Sequence, residues 1–339
     1  MHIVTTTHGH TFDAASGQPL LDAAAASGLV LPYSCRTGRC STCQCRVVAG
    51  ATVALHPELG LTDAEKADGW ILGCVRSAAS DVVLEVEDLG GVALPAPRTL
   101  PCRVQSVERL ADDVVRIVLR LPPTAAFTFA SGQYIDVIGQ DGVRRSYSLA
   151  RAPAASGLLE LHVRAVDGGA MSVYWFDRCR ANDLLRLNGP LGTFFLRDVA
   201  GLDLVFLCTG TGYAPVQAML ETLATLEPVQ RPRSATVYWG GRVGADHYHA
   251  SPAVDGLRTV HVLSRAPAEW AGARGHVQDV FLAERPDLAR AVVYACGSDA
   301  MIHAARTRLH SEGLPPGRFH SDAFVCSSAA PAQPVTQSS

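Results

Sequence analysis

Apolar residues change their spacing twice along the 339-residue chain, and these changes divide it into three regions. From about residue 102 to residue 200, short segments such as DVVRIVLRL and LLELHVRAV alternate apolar and polar positions between turn residues. This alternation predicts antiparallel strands that close into a barrel. From residue 203, apolar strands such as LVFLCTG alternate with helical segments such as VQAMLETLATL, which predicts a parallel sheet with a nucleotide at its carboxyl edge.

The first region, up to about residue 90, combines short strands with two short helices and predicts a small β-grasp module. Pro19 begins an alanine-rich helix over 20–26, and Thr62 with Glu65 three residues later predicts a capping box. The segment GGVALPAPRTLP predicts a linker, and the polar end of the chain predicts a disordered tail. The predicted divisions are residues 1–90, 100–200, 201–327 and the tail 328–339.

Composition and charge predict a folded cytoplasmic protein. Hydrophobic residues make up 48% of the chain, yet no apolar run approaches the roughly 18 residues that cross a bilayer, so we expect no membrane partner. The N-terminal sequence MHIVTTTHGHTF has neither the basic start nor the apolar stretch of a secretory signal. A net charge of -3 argues against general nucleic-acid binding.

Cysteine spacing is the most specific chemical signal in the chain. Cys35, Cys40 and Cys43 form a C-x4-C-x2-C pattern and Cys74 follows at a distance, an arrangement typical of plant-type 2Fe-2S clusters. We predict these four residues as the metal ligands, with a close backbone approach at Gly38. A zinc site would normally show paired C-x2-C couples, and disulfides need an oxidising compartment.

The surroundings of the predicted cluster allow two further statements. Ser34, Thr37, Ser41 and the neighbouring amides are predicted to donate hydrogen bonds to sulfur. Cys45 lies two residues beyond Cys43 and could compete as a ligand, but the spacing favours a strand residue at this position.

Four short motifs follow the cysteines in a fixed order. They are RSYS (Arg145–Ser148), GGAMS (Gly168–Ser172), TGTGYAP (Thr209–Pro215) and YACGS (Tyr294–Ser298). With the cysteine module first, the chain resembles the ferredoxin-NADP reductase superfamily, and in particular the iron-sulfur flavoprotein reductases that serve oxygenases and deoxysugar dehydrases. The resemblance implies a multidomain α+β and α/β protein with a β-grasp 2Fe-2S ferredoxin module, an antiparallel flavin-binding β-barrel and a parallel-sheet nicotinamide-binding domain.

The resemblance implies that the barrel binds FAD. Arg145 would meet a flavin phosphate, Tyr147 would lie along the ring and Ser148 would hydrogen-bond near N5. Two glycines before a helix would present amides to the pyrophosphate. On its own, R-x-Y-S fits any exposed strand, so the assignment depends on the other motifs. The implied FAD contacts are Arg145, Tyr147, Ser148, Arg164, Gly168, Gly169, Met171 and Ser172.

The third region carries the implied nicotinamide site. A strand, two glycines and Pro215 at the expected first helical position would form an amide-lined turn for the diphosphate. Cys296 would lie beside the nicotinamide, although a buried strand cysteine is the alternative, and Asp299 stands where the family has proline. The implied contacts are Thr209, Gly210, Thr211, Gly212, Cys296 and Gly297, and the implied catalytic residues are Ser148, Cys296, Asp322 and Phe324.

The resemblance implies electron flow from NAD(P)H through FAD to the 2Fe-2S cluster and on to a partner enzyme. The ending SDAF resembles NADH-dependent reductases of deoxysugar pathways, so a CDP-deoxyhexose (glucoseen) dehydrase is the expected acceptor. A Rieske or di-iron oxygenase is the alternative within the class. A redox sensor or electron carrier is the alternative of another class, but it predicts damaged RSYS, GTG or CG motifs, and all three are intact.

Two details concern the donor and the acceptor. Ser264 and Arg265 lie where NADP-using relatives contact the 2'-phosphate, yet the deoxysugar reductases that the chain resembles favour NADH, so we expect NADH with NADPH usable. Arg36 and Arg39 would make the cluster loop a surface docking site for an acidic face of the acceptor, although two solvated loop cations are the alternative reading.

Overall fold

The computed structural model describes residues 1–87, 89, 92–139, 141–315 and 317–325. The predicted tail, 328–339, lies outside these residues. The described chain forms three large sheets in sequence order, which confirms the predicted fold class. Among the described residues, no helix is both long and apolar enough to cross a membrane.

The first sheet has the strand order β2-β1-β7-β3-β5, with β1 and β7 parallel, and β4 pairs separately with β6. The predicted helix over 20–26 and the capping box of Thr62 and Glu65 are both confirmed. The elements are β1 (His2–Thr6), β2 (Thr11–Ala14), α1 (Leu20–Ala26), β3 (Gln44–Ala49), β4 (Thr52–Ala54), α2 (Asp63–Ala67), β5 (Trp70–Leu72), β6 (Arg76–Ala78) and β7 (Val82–Glu85).

The second sheet is the predicted antiparallel barrel, with the order β11-β10-β13-β8-β9-β12 and an isolated bridge between Leu149 and Leu161 that links its two edges. The segment RTLP belongs to the first strand of this sheet, so the predicted linker is shorter and only 92–97 lacks regular structure among its described residues. The elements are β8 (Arg98–Ala111), β9 (Val114–Arg120), β10 (Tyr134–Ile138), β11 (Arg144–Ser148), β12 (Leu158–Arg164), α3 (Ala170–Val173) and β13 (Leu184–Leu191).

The third sheet is parallel throughout, with the order β17-β16-β15-β14-β18-β19. Helix α4 begins at Tyr213, so Pro215 occupies the third helical position and not the first. The first turn still tolerates proline because its amides have no intrahelical acceptor. The elements are β14 (Asp203–Thr209), α4 (Tyr213–Ala224), β15 (Ser234–Gly241), β16 (Leu257–Leu263), β17 (Ala273–Arg274), α5 (Val277–Ala283), β18 (Ala291–Ser298), α6 (Asp299–Ser311) and β19 (Phe319–Phe324).

Each sheet has its own buried core, and the parallel sheet has one on each face. Two cysteines of the first region, Cys35 and Cys40, pack in the same core as Ala305 and Ala323 of the third. The domains are therefore docked around the loop that carries Cys35, Cys40 and Cys43, called the cysteine loop below. The limits at residues 90, 100, 200 and 327 stay a prediction.

Candidate functional site

The four predicted ligands are brought together from two segments. Cys35, Cys40 and Cys43 lie in the loop between α1 and β3, and Cys74 lies in the turn between β5 and β6. The thiols form two hydrogen-bonded pairs, and Cys40 lowers the pKa of Cys35 to about 5 while Cys43 lowers that of Cys74. A gathered set of four cysteine sulfurs is the donor set that a 2Fe-2S cluster requires.

Backbone geometry wraps this loop around the sulfur atoms. Arg36, Gly38 and Ser41 all adopt the left-handed conformation, with φ of 57°, 74° and 58°. A Cβ at Gly38 would lie 2.7 Å from the carbonyl oxygen of Pro57, so this position requires glycine. Amides inside the loop point at sulfur, as the sequence predicted: the amides of Cys35 and Thr37 donate to Sγ of Cys40 and Cys35, each at 3.4 Å.

Two of the three hydroxyls expected to face sulfur donate elsewhere. Ser41 donates to the carbonyl oxygen of Gly60, and Ser34 donates to the carboxylate of Asp322. The Thr37 side chain does hydrogen-bond Cys35 and helps to lower the pKa of that thiol. Serine hydroxyls therefore bond the loop to its surroundings, whereas hydrogen bonds to its sulfur atoms come mainly from backbone amides.

Cys45 belongs to neither thiol pair, although it packs in the same core as Cys43 and Cys74. It lies on β3 with 1% of its surface exposed and packs in the core of the first domain. Burial raises the pKa of its thiol to about 12, so this cysteine stays protonated as a small apolar core residue.

The cysteine loop is fixed where the three sheets meet. Thr193 of the barrel bonds to both backbone groups of Tyr33: its hydroxyl accepts from the amide at 2.8 Å, and its amide donates to the carbonyl oxygen at 3.1 Å. The hydroxyl of Tyr134 donates to the carbonyl oxygen of Ser34 at 2.7 Å. The expectation of a surface loop is therefore only partly right, because within residues 33–43 only Arg36 and Thr37 are exposed.

Asp322 connects this loop to the predicted flavin site. Asp322 is 4% exposed, and its carboxyl group accepts from Ser34 and also hydrogen-bonds the side chain of Ser148. Burial raises the pKa of Asp322 to about 6, and the nearby Cys35 acts in the same direction, whereas the Ser34 and Ser148 hydroxyls oppose both. Ser34 of the cysteine loop, Ser148 of the predicted flavin site and Asp322 of β19 therefore meet at one carboxyl group, which can hold a proton near neutral pH.

This carboxyl group gives the fold a pH-dependent stability. An unfolded aspartate releases its proton near about pH 3.9, whereas folded Asp322 keeps it to about pH 6. Its contribution to stability is therefore complete below about pH 4 and is lost as pH rises to about 6, by up to about 3 kcal/mol. We therefore expect the wild type to lose more stability between pH 4.5 and pH 7 than the Asp322→Asn variant, as measured by thermal unfolding at both pH values.

The matched control for this measurement is Asp255→Asn, which removes an exposed carboxylate. The control is expected to follow the wild-type pH dependence. Identical pH dependence of the wild type and Asp322→Asn would show that Asp322 titrates as an ordinary carboxylate.

The predicted flavin residues line the end of β11. Ser148 is buried, and the hydroxyl of Tyr147 accepts from the indole nitrogen of Trp175 at 2.9 Å, which fixes the orientation of the tyrosine ring. Arg145 donates to the carbonyl oxygen of Arg144, and among the described residues no carboxylate lies within 4 Å of its guanidinium. A cation without an acidic partner fits a phosphate ligand.

The glycine pair and Arg164 lie at the far end of the same surface. Gly168 has a φ of 68° and Gly169 immediately precedes α3, while Ser172 accepts from a loop amide and Met171 is buried. Arg164 donates to Asp246 of the third domain at 2.7 Å.

Arg164 also has capacity for a ligand. Its Nε and Nη2 are buried and have no hydrogen-bond partner among the described residues. The guanidinium lies 3.7 Å from where a Cβ of Gly210 would be. Two unpaired donors against a glycine turn fit a diphosphate group.

The two glycine motifs of the third domain are packed against each other. A Cβ on Gly212 would overlap the carbonyl oxygen of Cys296, and a Cβ on Gly297 would overlap the hydroxyl of Thr209. The same hydroxyl accepts from the Ser298 amide at 3.2 Å. This packing sets the amide-lined turn of 209–212 directly against the end of β18.

The predicted catalytic residues of the third domain differ in their access to solvent. Cys296 is fully buried, and burial raises the pKa of its thiol. Phe324 is 36% exposed at the end of β19, where it pairs with Ser298 in the strand register. A nicotinamide can therefore reach Cys296 only after neighbouring groups move.

Sequence reasoning missed three residues that organise the site. Tyr134, Thr193 and Asp246 bridge domains, and none of them was predicted as a site residue. Their partners are far away in sequence, so no periodicity could have identified them. Asp246 is a buried acid that neutralises Arg164.

Three family models match consecutive parts of the chain. They are the 2Fe-2S iron-sulfur cluster binding domain over residues 4–78, the oxidoreductase FAD-binding domain over 101–196 and the oxidoreductase NAD-binding domain over 206–307. These matches fall on the three sheets in the same order.

Relatives match the chain along nearly its whole length. It is 39% identical to a CDP-6-deoxy-L-threo-D-glycero-4-hexulose-3-dehydrase reductase of Yersinia pestis, over 94% of this chain and 96% of that protein. It is 33% identical to a reductase component of terephthalate 1,2-dioxygenase from Comamonas sp, over 93% and 94%. The crystal structure of the Amycolatopsis cytochrome P450 reductase GcoB superposes with a TM-score of 0.70 at 31% identity, covering 96% of this chain and 99% of that one.

A 2Fe-2S domain followed by FAD-binding and NAD-binding domains defines an iron-sulfur flavoprotein reductase. Its cofactors are a 2Fe-2S cluster, FAD and a nicotinamide dinucleotide, and its activity is that of an NAD(P)H:acceptor oxidoreductase. The chain belongs to the ferredoxin-NADP reductase superfamily, in the branch that carries an amino-terminal 2Fe-2S domain.

Proposed function

We propose that this reductase supplies electrons from NADH to a CDP-deoxyhexose dehydrase. The observation that carries the proposal is the 39% identity to a dehydrase reductase along nearly the full length of both chains. A second candidate is an oxygenase component, supported by the 33% identity to the terephthalate 1,2-dioxygenase reductase. Both acceptors are separate enzymes that take electrons from the cluster.

The four paired cysteines are proposed to hold the 2Fe-2S cluster, and the barrel residues Arg145, Tyr147 and Ser148 to bind and orient FAD. When bound, flavin takes hydride from nicotinamide and passes single electrons to an iron-sulfur centre. The buried Asp322 is proposed to hold a proton at its carboxylate oxygen beside Ser148, since the pKa of its carboxyl group is raised to about 6.

The nicotinamide is proposed to bind across the turn of 209–212 and the Cys296–Gly297 pair. Phe324 shields this position until the nucleotide displaces it, which is supported by its partial exposure at the end of β19. We propose NADH as the preferred donor with NADPH usable. Arg265 is exposed at the end of β16, and a single exposed arginine gives weak selection for a 2'-phosphate.

The exposed part of the cysteine loop is proposed as the docking site of the acceptor. Arg36 is exposed there, although its charge is partly neutralised by an ion pair with Asp22 and it lies over the ring of Tyr33. Arg39 is half-buried. We also propose a cytoplasmic location, because all nine described cysteines are free thiols.

The function is tested by anaerobic reduction with NADH or NADPH, followed by electron transfer to a purified CDP-deoxyhexose dehydrase acting on its sugar substrate. We expect product with NADH, and a several-fold slower reaction for Arg36→Glu at low ionic strength that approaches the wild-type rate at high salt. The matched control is Arg120→Glu, an exposed arginine on the barrel, which should behave as wild type. Complete reduction of the protein without sugar product would exclude a CDP-deoxyhexose dehydrase as the acceptor and favour an oxygenase component.

A further inference from the structure

An arginine of the nicotinamide-binding domain lies beside the cysteine loop of the first domain. Arg306 is on α6, and its guanidinium is half-buried at the domain interface. Its Nη1 donates to Oε1 of Gln44 at 2.9 Å, and its Nη2 donates to the hydroxyl of Ser321 at 3.3 Å. Gln44 directly follows the ligand Cys43, so the cation is held against the cluster-binding segment.

In the described part of the chain, Arg306 forms no ion pair with a carboxylate. Among the described residues, none has a carboxylate oxygen within 4 Å of the Arg306 guanidinium, whereas the exposed Arg308 on the same helix pairs with Glu312 at 3.1 Å. Gln44 lies between Glu65 and Arg306, with its Nε2 3.4 Å from the Glu65 carboxylate, and Glu65 also acts on Arg306 through space.

A desolvated cation needs a compensating negative charge. Burial lowers the pKa of Arg306, and four nearby acidic groups act in the opposite direction: Cys40 most strongly, then Glu65, Asp299 and Cys43. Cys40 also packs in the same buried core as Ala305, the residue that precedes Arg306. Cys40 and Cys43, two of these groups, are proposed cluster ligands, so a bound cluster would add its negative charge beside Arg306 across the interface.

The charge of the cluster itself changes with its oxidation state. Two ferric ions, two sulfides and four thiolates sum to a net charge of 2−, and one-electron reduction makes it 3−. A fixed neighbouring cation stabilises the 3− state more than the 2− state, because the Coulomb energy scales with the product of the charges. Such a cation raises the reduction potential.

We propose that Arg306 is the counter-charge of the 2Fe-2S cluster and raises its reduction potential from the neighbouring domain. The inference rests on the proposed ligation by Cys35, Cys40, Cys43 and Cys74. Arg306 is a positioning residue that acts through the cluster environment and transfers no electron itself. Since α6 belongs to the nicotinamide-binding domain, the cluster accepts electrons readily only while the domains are docked.

The test is an anaerobic redox titration of the purified holoprotein with the cluster followed by electron paramagnetic resonance. Arg306→Met removes the charge and keeps most of the side-chain volume, whereas Arg306→Lys keeps the charge. The matched control is Arg308→Met, which removes the same charge from the exposed face of the same helix. Arg306→Gln serves as a second neutral variant that keeps a hydrogen-bonding group for Gln44.

We expect both neutral variants at residue 306 to shift the one-electron equilibrium about tenfold toward the oxidised cluster, which corresponds to about 59 mV. Arg306→Lys should retain most of the wild-type potential, and Arg308→Met should change the equilibrium by less than about twofold, as expected for an exposed, screened charge. The flavin potential, read in the same titration, should stay constant, whereas general damage to the fold would change both.

Equal shifts in Arg306→Met and Arg308→Met, or no shift in either neutral variant at residue 306, would overturn the proposal. A wild-type protein without a cluster signal would overturn the ligand assignment and this inference with it. The titration contains no acceptor enzyme, so its outcome does not depend on which acceptor the protein serves. A failure of this proposal is therefore distinguishable from a failure of the proposed function.

Discussion

Replacing Cys74 with serine is expected to abolish assembly of the 2Fe-2S cluster and electron transfer to the acceptor enzyme. Cys74 is the proposed ligand contributed from outside the 35–43 loop, and its thiol pairs with that of Cys43. A serine hydroxyl is a much weaker ligand for ferric iron in this donor set than a thiolate. Iron content and the visible absorbance of the cluster should be lost, while FAD and NADH-driven reduction of a small dye that accepts electrons from flavin should remain.

Cys45→Ser is the matched control for this variant. Cys45 is an equally buried cysteine in the same domain, but it belongs to neither thiol pair. We expect the control to keep its iron and to lose only about 1–3 kcal/mol of stability, because a hydroxyl is buried in an apolar site. Loss of iron in Cys45→Ser with retention in Cys74→Ser would show that the ligand set is wrong.

Gly212→Ala is expected to disable the nicotinamide site. The added methyl group would overlap the backbone carbonyl of Cys296, and neither β14 nor β18 can move away, because both are central strands of the parallel sheet. Overpacking of this kind costs about 1–3 kcal/mol or more. We expect a lower thermal midpoint and a large loss of NADH-driven flavin reduction, with iron content unchanged.

Gly244→Ala separates this effect from the general cost of replacing glycine in the same domain. No atom lies within 4 Å of a Cβ at Gly244, and its φ is not positive, so this change should leave both measurements unaltered. Wild-type rates of flavin reduction in Gly212→Ala would mean that the turn and the Cys296–Gly297 pair can separate without cost.

The features that were predictable from sequence have local causes. Four cysteines at fixed spacing identify a cluster loop because the loop is continuous in the chain, and Thr62 with Glu65 identifies a helix start because both members of the capping box lie within one turn. The order of the glycine motifs identified the remaining two domains for the same reason.

The features that were missed depend on residues far apart in the chain. Ser34 and Asp322 are separated by 288 positions, and Gln44 and Arg306 by 262, so no pattern of spacing connects them. The error at Pro215 has a different origin: proline is favoured at the first helical position but is tolerated throughout the first turn.

The pairing of Thr193 with Tyr33 has a consequence for the evolution of this architecture. Both groups that Tyr33 contributes belong to its main chain, an amide and a carbonyl that almost any amino acid at this position would supply. The Tyr33 side chain packs against the core of its own domain and under Arg36, so it can change with that core while these two main-chain bonds stay in place. This part of the joint therefore tolerates substitution at Tyr33, whereas the Ser34–Asp322 and Gln44–Arg306 contacts across the same joint depend on their side chains.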